Sequence, residues 1–287
     1  MISRNDCGYL KLFLWKNIKQ LWSFNNKSLS RQKNINSIDS KSGRSFLDSI
    51  TSNDTLNYRL FKEYYLICDI CSSFDLNLFK NELVRSVKSF FLNGMVSVGG
   101  GNHSFRSEIG NKIWITPSGY PRSHLKDDDL ILIDLEGNTI KGNLRPTIEV
   151  PFHTEIYKNR NDINAICHVH NPYTMGFYLT AKLKSTKNEG IFSLNELPSI
   201  KLPSQIEDTI IIEYKQLGSK VLGKTVGIAS RMELLSSSST SKLTSNPKII
   251  ILLNHGIIGM GKCIHEAKFL VELYEEWAKC IMIKKIM

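Results

Sequence analysis

The run Asp162-Ile163-Asn164-Ala165-Ile166-Cys167 leads into His168-Val169-His170. Its apolar residues predict a strand over 165–170. Side chains two apart on a strand share a face, roughly 7 Å apart. Both imidazoles can therefore reach one metal ion while Val169 faces the other way. His255 is a candidate third ligand. It ends a second apolar run, Lys248-Ile249-Ile250-Ile251-Leu252-Leu253-Asn254, and precedes Gly256. Glu149 lies upstream of the pair. Three imidazoles with an open position form the donor set of a catalytic zinc, and a nearby carboxylate can move protons. The competing reading is a pair of ordinary strand histidines. His-x-His alone does not exclude it, and the weight comes from His255 and Glu149 together.

The rest of the chain is that of a globular protein. Its 287 residues are enough to bury a sizeable core, and 41% apolar with 22% charged residues is ordinary composition. No stretch approaches the ~18 uninterrupted apolar residues of a membrane span; the longest candidate, Ile249 to Met260, is broken by Asn254 and His255. The net charge of +10 is unevenly placed: residues 1–44 hold nine Lys/Arg against two Asp, which leaves only +3 for the remainder. With a nearly balanced body and no basic recognition helix, no nucleic-acid partner is expected. Six cysteines, at 7, 68, 71, 167, 263 and 280, have no regular framework, which fits a reducing, cytoplasmic compartment. Cys68 and Cys71 form a lone CxxC, read as two small buried side chains rather than a zinc knuckle.

Residues 1–55 read as a basic, low-complexity, disordered extension, in which Tyr9 to Trp22 could alternatively form an amphipathic helix or targeting segment. Residues 56–284 form the folded domain. Helical spacing covers 57–73 and 76–93, the second stopped by Gly94. Strands are expected at 112–116, 130–135, 165–170 and 248–254. Helices are expected at 147–159, where Glu149 and His153 share a face, from Pro172 to Leu183, at 218–235 behind a Ser219 cap, and at 265–282. The last has an apolar face of Ala267, Leu270, Val271, Tyr274 and Ala278. Residues 184–196 read as a loop, and 236–246 as a Ser-rich insertion.

Five segments occur in order: Gly101-Asn102-His103-Ser104-Phe105-Arg106, Trp114-Ile115-Thr116-Pro117-Ser118-Gly119, Arg145-Pro146-Thr147-Ile148-Glu149-Val150-Pro151-Phe152-His153, Ala165-Ile166-Cys167-His168-Val169-His170, and Asn254-His255-Gly256. Together they resemble the class II aldolase/adducin family, and within it the L-fuculose-1-phosphate aldolase branch, over about residues 78–281. The resemblance implies a three-layer α/β/α sandwich around a mostly antiparallel sheet, assembled as a homotetramer. It implies zinc on His168, His170 and His255, with Glu149 as the catalytic proton-transfer residue. It also implies a sugar-phosphate substrate whose phosphate is held by Asn102, Ser118, Gly119 and Thr147. The chemistry would be C–C cleavage or formation through a metal-stabilised enediolate, giving or using dihydroxyacetone phosphate and an aldehyde.

The chain departs from that pattern in two places. Ile148 stands where a second small hydroxyl is expected beside the glutamate, so one phosphate donor is lost. The tyrosine expected after the histidine pair has no evident match; Tyr173, Tyr214 and Lys201 are candidates for its role. Dehydratases, 4-epimerases and decarboxylases of sugar phosphates share the scaffold. Adducin-type head domains keep the fold without the metal ligands. His153 is expected to pack against or orient Glu149, and His103, His124 and His265 to be structural or exposed.

Overall fold

The computed structural model describes residues 76–107, 111–180, 191–193, 206, 208–231 and 246–286. The extension at 1–55, the helix expected at 57–73 with Cys68 and Cys71, and the Ser-rich insertion up to Ser245 lie outside the described residues.

Nine strands among the described residues form one sheet. Its strands are β1 (Asn102–Arg106), β2 (Lys112–Ile115), β3 (Ile131–Asp134), β4 (Thr139–Lys141), β5 (Ala165–Val169), β6 (Ile191–Ser193), β7 (Thr209–Ile212), β8 (Ile249–Leu252) and β9 (Gly256–Gly261). Among the described residues they pair in the order β4-β3-β2-β1-β5-β9-β8-β7-β6. Every neighbouring pair is antiparallel except β7 with β8. β7 and β8 are joined by a connection that carries a helix, as parallel neighbours require.

The helices are α1 (Leu76–Leu92), α2 (Val150–Asn159), α3 (Pro172–Thr180), α4 (Lys220–Ser230) and α5 (Ile264–Ile286). Because strand side chains alternate, the sheet feeds two cores. On one face Phe105, Trp114, Cys167, Val169, Ile251 and Ile257 pack with α1, α3 and α5. On the other Ile113, Ile133, Ile166, Ile250 and Ile258 pack with α2 and α4. The result is the expected three-layer α/β/α sandwich. The predicted face of α5 is inside: Ala267, Val271, Tyr274 and Ala278 are fully buried and Leu270 is 1% exposed.

Local signals explain several ends. Gly94 (φ 69) closes α1: its N–H bonds Phe91 O, and that of Met95 bonds Phe90 O, which satisfies two terminal carbonyls. Ser219 caps α4 through a bond from Leu222 N–H to its Oγ.

Two expectations need correction. The helix expected from Thr147 begins at Val150. Thr147 instead closes a turn, its Oγ1 taking the Glu149 N–H at 3.3 Å and its carbonyl the Val150 N–H at 3.3 Å. Pro151 then sits in the first turn of α2, where a missing N–H costs nothing. The stretch 184–196, read as loop, contains β6, which edges the sheet against β7. Of the described cysteines, Cys167 and Cys280 are free.

Candidate metal centre and active site

The β8–β9 hairpin carries His255 to the histidine pair. Its loop is only Leu253, Asn254 and His255, since Leu252 already pairs with Gly256. Asn254 turns the chain with φ 57, a left-handed conformation asparagine tolerates. On its other edge β9 pairs with β5, setting Ile258 opposite His168 and Ile257 opposite Val169. The loop therefore ends beside His168 and His170. Gly256 makes the approach possible. A Cβ there would stand 2.4 Å from Val169 O, 2.9 Å from His168 Cε1 and 3.0 Å from His170 Cδ2.

The three rings converge. His168 Nε2 is 3.2 Å from both His255 Nε2 and His170 Nε2, and one ligand atom from each residue lies within 4.8 Å of the others. His168 Nδ1 is 3.1 Å from Ile257 O. A carbonyl only accepts, so in the neutral ring Nδ1 carries the hydrogen and the Nε2 facing the cluster is bare, the tautomer a metal ligand needs. Burial, then His168 and His255, push the His170 pKa down to about 3. His255 is lowered by burial, with Glu149 opposing and His168 adding. His170 and His255 thus resist protonation, as ligation requires.

Glu149 closes the group. It is 4% exposed, with Oε2 3.2 Å from His168 Nε2 and Oε1 3.3 Å from His255 Nε2. Burial alone would raise its pKa; His168 and His255 outweigh that and hold it well below the usual carboxylate range. Among the described residues, Glu149 Oε1 and His255 Nδ1 have no hydrogen-bond partner. An ionised carboxylate buried against these imidazoles needs a positive neighbour, a protonated ring or a bound cation. A divalent cation among the three Nε2 atoms supplies one, so the residues fit a metal site.

Of the residues expected at the phosphate, Thr147, Ser118 and Gly119 lie on neighbouring loops. Thr147 N–H bonds Thr116 O at 3.2 Å and Ser118 N–H bonds Arg145 O at 2.9 Å, which seats Thr147 beside the Ser118–Gly119 turn. A Cβ on Gly99 would lie 3.3 Å from Gly119 Cα, and one on Gly100 3.1 Å from His170 Nδ1. The glycine-rich loop therefore spans from that turn to the histidines. Ser118 is half-buried, Gly119 exposed and Thr147 buried. Asn102 is engaged at the glutamate: Nδ2 donates to Glu149 Oε2 at 2.8 Å, and Oδ1 lies 2.6 Å from His153 Nε2. Ile148 is half exposed. Tyr173 and Tyr214 are exposed, and Lys201 lies outside the described residues. His124 is exposed and His265 half-buried, whereas His103 is fully buried, stacked on Phe90 with ring centroids 5.1 Å apart.

Sequence reasoning missed Arg122. It is 1% exposed and spends its guanidinium on four carbonyls: Gly99 at 3.0 Å, Gly100 at 2.9 Å, Gly101 at 2.5 Å and Pro117 at 3.1 Å. One buried cation thus ties the glycine-rich loop to the loop that carries Ser118. Burial lowers its pKa only to about 10, so it stays charged at neutral pH. A lone arginine after a Pro-Ser-Gly turn carries no periodic signal and reads as a solvated charge.

A layered sheet with three convergent histidines and a buried glutamate defines an α/β/α protein with a candidate metal site. The chain belongs to the family described as Class II Aldolase and Adducin N-terminal domain, which matches residues 81–282. It is similar to an L-fuculose phosphate aldolase of Methanocaldococcus jannaschii, 33% identical over 71% of this chain and 96% of that one. It is also similar to a 3-oxo-tetronate 4-phosphate decarboxylase of Pectobacterium atrosepticum, 28% identical over 70% and 83% of the two chains. Among solved structures, the fold matches YgbL from Escherichia coli with a TM-score of 0.58, at 23% identity over 72% of this chain and 90% of that one.

Proposed function

We propose that this chain is a zinc-dependent aldolase that cleaves or forms a C–C bond of a ketose phosphate, with dihydroxyacetone phosphate and an aldehyde as the two parts. The observation that carries the proposal is the buried Glu149 carboxylate set within 3.3 Å of two of three convergent imidazoles. Imidazole donors favour zinc over magnesium or calcium. When bound by His168, His170 and His255, zinc supplies the Lewis acid that stabilises negative charge left on the substrate as the C–C bond breaks. Glu149 does the proton work: in cleavage it delivers a proton to the carbon that loses its partner, and in synthesis it removes that proton. Thr147, Ser118, the Gly119 backbone and the second N–H of Asn102 hold the phosphate. The resemblance supports a homotetramer, and the cysteine usage a cytoplasmic one; no helix among the described residues is long and apolar enough to cross a membrane.

A second reading has its own support in the similarity to a 3-oxo-tetronate 4-phosphate decarboxylase. Decarboxylation also leaves an electron pair on a carbon beside a carbonyl, and Glu149 would protonate it. The adducin-like alternative is disfavoured by the intact histidine cluster. The test is product analysis with zinc-loaded enzyme. Incubation with L-fuculose 1-phosphate or another ketose 1-phosphate should yield dihydroxyacetone phosphate. Carbon dioxide from a 3-oxo-tetronate 4-phosphate, with ketose phosphates inert, would replace the aldolase reading with the decarboxylase one.

A further inference from the structure

A line of buried polar groups runs from the core to Glu149. The Tyr157 hydroxyl is 2.9 Å from Ser104 Oγ, which is 2.8 Å from His153 Nδ1. His153 Nε2 is 2.6 Å from Asn102 Oδ1, and Asn102 Nδ2 is 2.8 Å from Glu149 Oε2. None of the five residues is more than 4% exposed. The spacing follows from two periodicities. Positions 102 and 104 share one face of β1, while 149, 153 and 157 recur every four residues at the cap and along α2. The strand therefore interlocks with the helix.

Only one direction of donation satisfies every link. An ionised carboxylate accepts and cannot donate, so Asn102 turns its NH2 toward Glu149; the reverse amide would set its oxygen against the carboxylate. Asn102 Oδ1 is then an acceptor, and His153 Nε2 must carry the hydrogen. A neutral imidazole in that tautomer has a bare Nδ1, which takes the hydroxyl hydrogen of Ser104. The lone pair of Ser104 remains for the Tyr157 O–H. All four donors point toward Glu149, and bonds aligned in this way polarise one another.

We infer that Tyr157, Ser104 and His153 are positioning residues that act through Asn102: they lock His153 as its Nε2–H tautomer and hold the Glu149 carboxylate against the histidine cluster. The line positions but does not conduct, because the Asn102 amide does not accept a proton at one end and release one at the other. Glu149 must then exchange its proton on the substrate side. The inference rests on the reading of Glu149 as the proton-transfer group.

The test uses zinc-loaded enzyme with 15N-labelled histidine and long-range 1H–15N correlation spectra, His153 being assigned by its loss in His153→Gln. The expected spectrum shows His153 neutral, with hydrogen on Nε2 and a bare Nδ1. Nδ1–H or a doubly protonated ring would overturn the inference, whatever the activity. In parallel, Ser104→Ala should keep bound zinc and KM but lower kcat about 10–100-fold, as loss of an outer partner does, and Ser104→Thr should restore it. Unchanged kcat in Ser104→Ala would also overturn it. The expected His153 spectrum combined with undiminished proton exchange in Glu149→Gln would instead sink the reading of Glu149 and leave the hydrogen-bonded line standing.

Discussion

Glu149 Oε2 stands 3.2 Å from His168 Nε2, and the same oxygen takes the Asn102 amide hydrogen bond at 2.8 Å. One carboxylate thus faces a metal-ready histidine cluster on one side and a buried hydrogen-bonded line on the other. The two roles proposed for it, as anion beside a cation and as a group held to move a proton, can be separated by substitution.

Removing a histidine should remove the metal. His168→Ala or His255→Ala leaves two imidazole ligands where a catalytic zinc needs three protein donors. Zinc content, measured by mass spectrometry after dialysis, should fall from one per chain to near zero. Full occupancy in either variant would contradict the ligand set.

Glu149→Gln should keep the metal and lose the proton chemistry. The amide nearly preserves the shape, but it cannot act as base. Proton exchange should drop by about 10²–10⁴-fold while zinc content stays near one per chain.

Gly256→Ala tests the hairpin. The added methyl would meet Val169 O at 2.4 Å and both ring edges of the pair. Overpacking of this kind costs about 1–3 kcal/mol and here displaces two ligands. A urea titration should show the lower stability, and a zinc titration a weaker site. Native values in both would mean the strands have room to part.

Arg122→Met should loosen the loops. It strips donors from four carbonyls, of which the bonds to Pro117 and Gly101 are buried, and a buried acceptor left unpaired costs about 1–3 kcal/mol. The melting temperature should fall by several degrees, with Arg122→Lys intermediate because it keeps the charge and loses the fork.

Acid should destabilise the metal-free protein in a defined window. Burial chiefly, with His168, lowers the His153 pKa from the ordinary 6.5 to about 3. Between these values the unfolded chain binds a proton that the folded chain does not, so stability falls as pH drops through the window. It is full above 6.5 and levels off below about 3. Urea midpoints that stay flat between about pH 7 and pH 4 would contradict a buried, neutral His153.

Much of the site was legible because its residues sit at the ends of strongly apolar runs. The run before His168 and the run before His255 each became a strand, β5 and β8. The segments containing Thr147, Glu149 and His153 gave the right neighbourhood but the wrong start, because a threonine that closes a turn reads like a helix cap. β1 was not read as a strand. Asn102, His103, Ser104 and Arg106 put polar groups on a central strand, and the hydrogen bonds that offset the burial of Asn102 and Ser104 come from Glu149 and α2 and cannot be seen locally. β9, Gly256-Ile257-Ile258-Gly259-Met260-Gly261, was obscured by glycines that helix packing requires: a Cβ on Gly259 would lie 2.6 Å from Ala267 O. Arg122 was invisible because its partners are backbone carbonyls of other loops.

The measurement closest to the central claim is solvent-deuterium exchange into dihydroxyacetone phosphate, followed by NMR, on zinc-loaded, chelator-treated and Glu149→Gln protein. The account predicts stereospecific exchange that requires zinc, is lost on chelation and returns when zinc is restored, and is nearly absent in Glu149→Gln. Exchange that persists in Glu149→Gln, or zinc-loaded protein that exchanges nothing, would contradict it.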